Sequence, residues 1–232
     1  MSNHLSKQFD LELESIRTRI LQMGGLVERQ LMAAIDAFST GNVEEMQRVI
    51  RSDREVDAYE VDIDEECTLL IARRQPTARD LRLVMAISRI VTDLERSGDK
   101  AAKIANKSRK LQRAGIQRIP RLSDLHHCGR LVTDMLRGAL DALARMDVDA
   151  AREVIHADKE IDAAFNAVIR QLVTYMMEDP RTITEALDII WIAKAIERVG
   201  DHATNIAENV IYTVSGVDVR HTGAAARKAE TP

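Results

Sequence analysis

The stretch ERSGD, Glu95 to Asp99, returns as ERVGD, Glu197 to Asp201, 102 positions later. Working outward from this pair decides the fold. Before each motif lies a long apolar stretch, Leu81 to Leu94 in the first case and Ile183 to Val199 around the second. A helix apolar nearly all round is a central, buried one. Further upstream the repetition continues at an offset of 105. Gly24, Leu26, Val27, Leu31, Asp36, Val49, Ile50, Asp53 and Asp57 match Gly129, Leu131, Val132, Leu136, Asp141, Val154, Ile155, Asp158 and Asp162. Identity at charged as well as apolar positions separates a true internal repeat from coincidence among amphipathic helices.

Each copy contains three helical segments. Leu13, Ile16, Ile20, Met23, Val27, Leu31, Ala34 and Phe38 advance by three and four residues, which is one apolar helix face. Gly41 closes this helix and Asn42 can cap the next, which runs through Met46, Val56, Ile63 and Leu70 and stops before Pro76. Thr77 opens the third, which ends near Gly115. The order then repeats. Leu122 to Met146 forms a fourth helix, Asp147 caps a fifth that ends before Pro180, and Thr182 to Val214 forms a sixth. The sequence therefore predicts an all-α protein of two pseudo-symmetric three-helix bundles, residues 1–115 and 116–216. The polar, Ala-rich tail, 217–232, is expected to be disordered.

Composition agrees. Aromatic residues make up 3% of the 232, so a core must be built from Leu, Ile, Val, Ala and Met, which suits helix packing better than sheets. Net charge is −4 with acids and bases interspersed, which excludes the basic footprint of a nucleic-acid binder. Cys67 and Cys128 form no C-x-x-C and sit in helical patterns, so buried free thiols in a reducing compartment are expected. The N-terminus has no apolar signal core, and the longest apolar run, near Ile189 to Ala193, falls far short of the roughly 20 residues of a membrane span. The expectation is a soluble, cytoplasmic protein.

Four carboxylate pairs stand at i,i+4 spacing: Asp53/Asp57, Glu95/Asp99, Asp158/Asp162 and Glu197/Asp201. Residues four apart share a helix face about 5–6 Å apart at Cβ, and like charges there destabilise the helix by a few tenths of a kcal/mol. A divalent cation offsets this well, because oxygen ligands converging from two helices suit a hard metal. A solvated acidic face is the alternative. The recurrence of the pairs in both copies favours metal. Gly98 and Gly200 sit inside two of the pairs. A mid-helix Gly costs about 1 kcal/mol against Ala, which implies close approach of another helix. His202 has Lys100 as its counterpart and reads as a surface or ion-pair histidine. Glu153 with His156 resembles half of a di-iron motif but occurs once and is discounted. His126 and His127 read as first-turn polar residues. No nucleophile–base arrangement and no Gly-rich phosphate loop is readable.

MGGLVERQL at Met23 to Leu31, DLERSGDKAAKIAN at Asp93 to Asn106, and AIERVGDHATNIAENVIY at Ala195 to Tyr212 resemble the PhoU family, over about residues 5 to 215. That resemblance implies a non-enzymatic, cytoplasmic negative regulator of phosphate uptake. It would act as an adaptor between the ATPase subunit of a phosphate importer and a phosphate-sensing histidine kinase, as a homodimer without a span of its own. It also implies metal clusters on the four carboxylate pairs. Hardness of the ligands points to Mg or Mn, and the resemblance admits Fe and Zn. Two competing readings follow from the residues alone: a metal-dependent helical-bundle enzyme acting on phosphate compounds, and a metal-free scaffold.

Overall fold

The computed structural model describes residues 2–115, 119, 123–217 and 219. Among these residues six long helices form: α1 (Ser2–Thr40), α2 (Val43–Arg74), α3 (Ala78–Ala114), α4 (Ser123–Arg145), α5 (Val148–Glu178) and α6 (Ile183–Ser215). One 3-10 turn, Pro180–Thr182, joins the last two. The expected boundaries hold to within a residue or two, except that α1 begins earlier than its apolar stripe. Apart from Val217 and Val219, the expected disordered tail lies outside the described residues.

Local chemistry accounts for the helix ends. Asn42 accepts a hydrogen bond from the Glu45 amide at 3.1 Å and caps α2. Asp147 accepts from the amides of Asp149 and Ala150 at 3.0 and 3.1 Å and caps α5. Gly41 ends α1 with φ +75°, where a left-handed residue is needed. Its counterpart in the second copy is Met146, at φ 52°, so the repeat kept the turn and gave up the residue that makes it easy.

α1, α2 and α3 pack on one another, as do α4, α5 and α6. The two units meet through α1 against α4 and α3 against α6. Buried residues from all six helices form one continuous core, including Ile20, Met23, Leu31, Ile63, Ile87, Leu94, Leu136, Ile161 and Ile206. Each such side chain contributes roughly 1.5–3 kcal/mol through burial. Cys67 and Cys128 are free and buried in this core, as expected, and burial pushes their thiols up to about 12 and about 11.

The third helix of each unit departs from expectation. Neither is buried all round. Leu81 and Met85 of α3 are exposed, and so are their counterparts Ile183 and Leu187 of α6, with Trp191 one turn further on. Three neighbours cover most of each helix and leave one apolar strip uncovered.

Candidate metal centre and the polar seam between the units

α2 and α3 run against each other so that the acids of the first repeat share one patch. Asp53 is pushed up to about 6 by burial first, then by the negative charges of Asp57, Asp99 and Glu95. Glu95 is raised by burial, then by Glu60, Asp99 and Asp57. The patch therefore holds the four expected carboxylates, Asp53, Asp57, Glu95 and Asp99, on two facing helices. It also holds Glu60, itself raised by burial and by Asp64 and Asp57. The repeat does not point to Glu60 and Asp64, because their counterparts are Phe165 and Ile169. The signal was present: Asp53, Asp57, Glu60 and Asp64 continue a single face of α2 at helical spacing.

In the second repeat, Asp201 is raised by the protein packed around it, then by Glu197 and Asp158. Asp162 is exposed one turn along α5 and is not among the charges that chiefly act on Asp201. Glu197 is largely enclosed. Its side chain is 14% exposed, its Oε1 pairs with Lys194, and its Oε2 is buried without a hydrogen-bond partner. In the first repeat Lys103 Nζ pairs with Asp99 Oδ2 at 2.6 Å.

The glycines inside the motifs do what close packing demands. A Cβ at Gly98 would lie 3.2 Å from Val56 of α2, and one at Gly200 would lie 3.4 Å from Ile161 of α5. Val56 lies beside Asp57, and Ile161 beside Asp162. The glycines thus let the acidic segments of neighbouring helices approach.

The donor set is chemically suited to a hard cation: oxygen ligands from two helices, Asp53, Glu95 and Asp201 shifted upward by burial and by their acidic neighbours, and one buried carboxylate oxygen unsatisfied. Among the described residues, however, no three histidine, cysteine or carboxylate side chains are already gathered as a ready-made metal site. Ammonium groups, not converged ligands, balance Asp99 and Glu197 in this conformation.

A second polar feature joins the units. Asp93 of α3 is 7% exposed. Its Oδ1 lies 2.9 Å from His202 Nδ1 and accepts from Asn205 Nδ2 at 3.1 Å, both on α6. His202 therefore contacts a carboxylate of the other unit and sits partly buried in the α3–α6 seam. Asp93 was not singled out in the sequence because its counterpart is Ala195. His126 Nε2 lies 3.0 Å from Asp36 and links α4 to α1. Glu153 and His156 are both exposed on α5.

Six helices in two like units, with acidic motifs on the second and third helix of each, define a class of doubled three-helix bundle. The PhoU domain model matches residues 20–108 and again 125–210, one match to each unit. The chain belongs to the PhoU family. It is 47% identical over 231 residues to a phosphate-specific transport system accessory protein PhoU homolog of Pseudomonas putida, covering 99% of this chain and 90% of that one. It is 47% identical over 223 residues to the corresponding accessory protein of Escherichia coli K12, covering 96% and 92%. The crystal structure of PhoU from Pseudomonas aeruginosa superposes with a TM-score of 0.86 at 46% identity, over 90% of this chain and 100% of that one. A phosphate transport system regulatory protein PhoU from Streptococcus pneumoniae superposes at 0.83 with 28% identity, over 91% and 99%.

Proposed function

We propose that this protein is an accessory regulator of phosphate transport. It represses phosphate uptake and the phosphate-starvation response when phosphate is ample, working as a binding partner and not as an enzyme. The observation that carries the reading is the near-full-length likeness to phosphate transport accessory proteins, at 47% identity with both units included. In this reading the partners are the ATPase subunit of the phosphate importer and a phosphate-sensing histidine kinase. The protein acts on the cytoplasmic side as a homodimer. No described helix is long and apolar enough to cross a membrane, which agrees with reaching the importer through protein contacts.

The carboxylates Asp53, Asp57, Glu95 and Asp99, and Asp158, Asp162, Glu197 and Asp201, would hold divalent or transition metal ions, Mg, Mn, Fe or Zn. Bound metal would neutralise acids that now crowd one another and would fix α2 on α3 and α5 on α6. Its role would be structural or regulatory. The unsatisfied Glu197 Oε2 supports this reading.

The test is deletion of the gene, with a phosphate-starvation reporter measured in phosphate-rich medium. The reporter should be constitutively on and should be silenced by the gene supplied in trans. Normal repression in the deletion strain would sink the proposal.

A further inference from the structure

The seam where α3 crosses α6 opens on one side into a groove of about 300 Å³. Lys100, Lys103, Lys107 and Lys110 line it from α3, and Lys194, Arg198 and Trp191 from α6. Spacings of three, four and three place the four lysines on one face of α3, over about 15 Å. On α6, Trp191 and Lys194 precede Arg198 on one face. Ile104, Ile192 and Ala195 form an apolar floor. Among the described residues, no carboxylate lines the groove. Asp99, Asp188 and Glu197 pair with Lys103, Lys107 and Lys194. No ion pair among the described residues holds Lys100, Lys110 or Arg198. A surplus of cations therefore collects in a protein whose overall charge is −4.

The pseudo-symmetry supplies a control within the same molecule. The other end of the seam carries a second groove, lined by Ser88, Arg89, Thr92, Asp93, Arg96, Asn205 and Asn209. The repeat offset maps Trp191 onto Arg89, Lys194 onto Thr92 and Ala195 onto Asp93, and maps Lys103 and Lys107 onto Asn205 and Asn209. The fold thus builds the same groove twice. Only one copy is wholly cationic, and only that copy has the tryptophan. Scaffold geometry does not demand the charge, and crowded like charges are unfavourable unless a counter-charge is present.

Trp191 is the chain's only tryptophan, and it is 64% exposed at the groove's edge. An indole face beside a row of ammonium groups suits a ligand that carries an aromatic ring at one end and several negative charges at the other. The volume lies within the range of small-molecule sites. We propose that this groove binds a nucleotide, with the base against Trp191 and the phosphates along the lysines of α3 and Arg198.

The test uses the full chain stripped with EDTA, so that divalent metal on the carboxylates plays no part and failure here leaves the metal reading untouched. ATP is titrated while the fluorescence of Trp191 is followed. The expected result is a saturable change that weakens with added salt. Lys107→Gln with Lys110→Gln should weaken ATP binding about tenfold or more. Lys110→Gln alone, at an exposed position, gives a second variant whose folding is not in question. Trp191→Leu, read by calorimetry, should weaken ATP but not inorganic tripolyphosphate. Arg89→Gln in the second groove should change nothing. No saturable response to ATP, or a response unchanged in the lysine variants, would overturn the proposal. So would tripolyphosphate binding as tightly as ATP, since the site would then ignore the base.

Discussion

Gly24 of α1 receives the side chain of Leu140 from α4: a Cβ on Gly24 would lie 2.4 Å from Leu140 Cδ2. The reciprocal contact exists. Gly129 of α4 receives Ile35 of α1, with a Cβ there 2.6 Å from Ile35 Cδ1. Gly24 and Gly129 are repeat partners, and so are Ile35 and Leu140. The pseudo-two-fold axis therefore passes between α1 and α4, and each unit offers the other one knob and one hole. Repetition of glycine in the sequence is the trace of this contact.

The holes differ in how far they can yield. Ile35 is β-branched, stiff at χ1 and 2% exposed, whereas Leu140 can turn its methyl groups. Gly129→Ala gains about 1 kcal/mol of helix propensity but loses roughly 1–3 kcal/mol to overpacking. It should be destabilising by about 1 kcal/mol, read as a lower urea midpoint at an unchanged slope. Gly24→Ala should cost less. Combining Gly129→Ala with Ile35→Val, which removes the offending Cδ1, should cost less than the sum of the two single changes. Strict additivity would show that Ile35 Cδ1 is not the atom for which the glycine makes room.

The helices, their caps and the two-fold arrangement were legible because each rests on local chemistry repeated twice: Pro76 and Pro180 as stops, Asn42 and Asp147 as caps, paired glycines at crossings. The carboxylate faces were legible for the same reason. What stayed hidden is what the two copies do not share. Glu60 faces Phe165 in the repeat, Asp93 faces Ala195, and the lysines of the α3–α6 groove face His202, Asn205, Asn209, Tyr212 and Thr92. Asymmetric residues gain meaning only when the crossing of α3 over α6 sets them beside residues about 110 positions away, as it does His202 and Asp93. The exposed strip at Leu81, Met85, Ile183 and Leu187 was misread for a related reason, since an apolar periphery says nothing of how many neighbours a helix has.

The Asp93 junction can be tested by its acceptor. Asp93→Ala leaves His202 and Asn205 without their partner in a partly buried seam, which should cost about 1–3 kcal/mol. Asp93→Asn keeps a carbonyl oxygen able to accept from Asn205 and should cost less than half as much. Denaturant unfolding measures both. Equal losses would mean that the negative charge of Asp93, and not its hydrogen bonds, holds α3 to α6.

Asp53 predicts an unusual pH dependence. Its carboxyl is pushed up to about 6 in the fold, from an ordinary value of 3.8. Between about pH 4 and 6 the folded chain therefore binds the proton that the unfolded chain releases, and stability falls as pH rises through this window. The loss is complete above 6. Glu95, Glu60 and Asp201 are shifted in the same direction. In EDTA, Asp53→Asn should exceed the natural chain in thermal midpoint by more at pH 7.5 than at pH 4.5. A gap that is constant across this range, or that closes with rising pH, would contradict the assignment.

Metal should act on the same groups with opposite sign. A divalent cation binds the deprotonated carboxylates, so its stabilisation should grow as pH rises through 6, where the crowding of acids is worst. Mn²⁺ added to chelator-treated protein should raise the thermal midpoint by more at pH 7.5 than at pH 5. Asp158→Ala with Asp201→Ala should lower the metal retained after purification without chelator, measured by elemental analysis, and leave helicity by circular dichroism intact. The first repeat would then keep its own share through Asp53, Asp57, Glu95 and Asp99, so the loss should be partial. Unchanged metal content would remove Asp158 and Asp201 from the ligand set. Loss of helicity together with metal would mean that the carboxylates serve the packing of α5 on α6 directly. The orphaned Glu197 Oε2 separates these outcomes further. Glu197→Gln keeps the shape and removes the charge that balances Lys194. If metal is what that oxygen awaits, the variant should lose the Mn²⁺-dependent rise in midpoint from the second repeat, while its metal-free midpoint moves little.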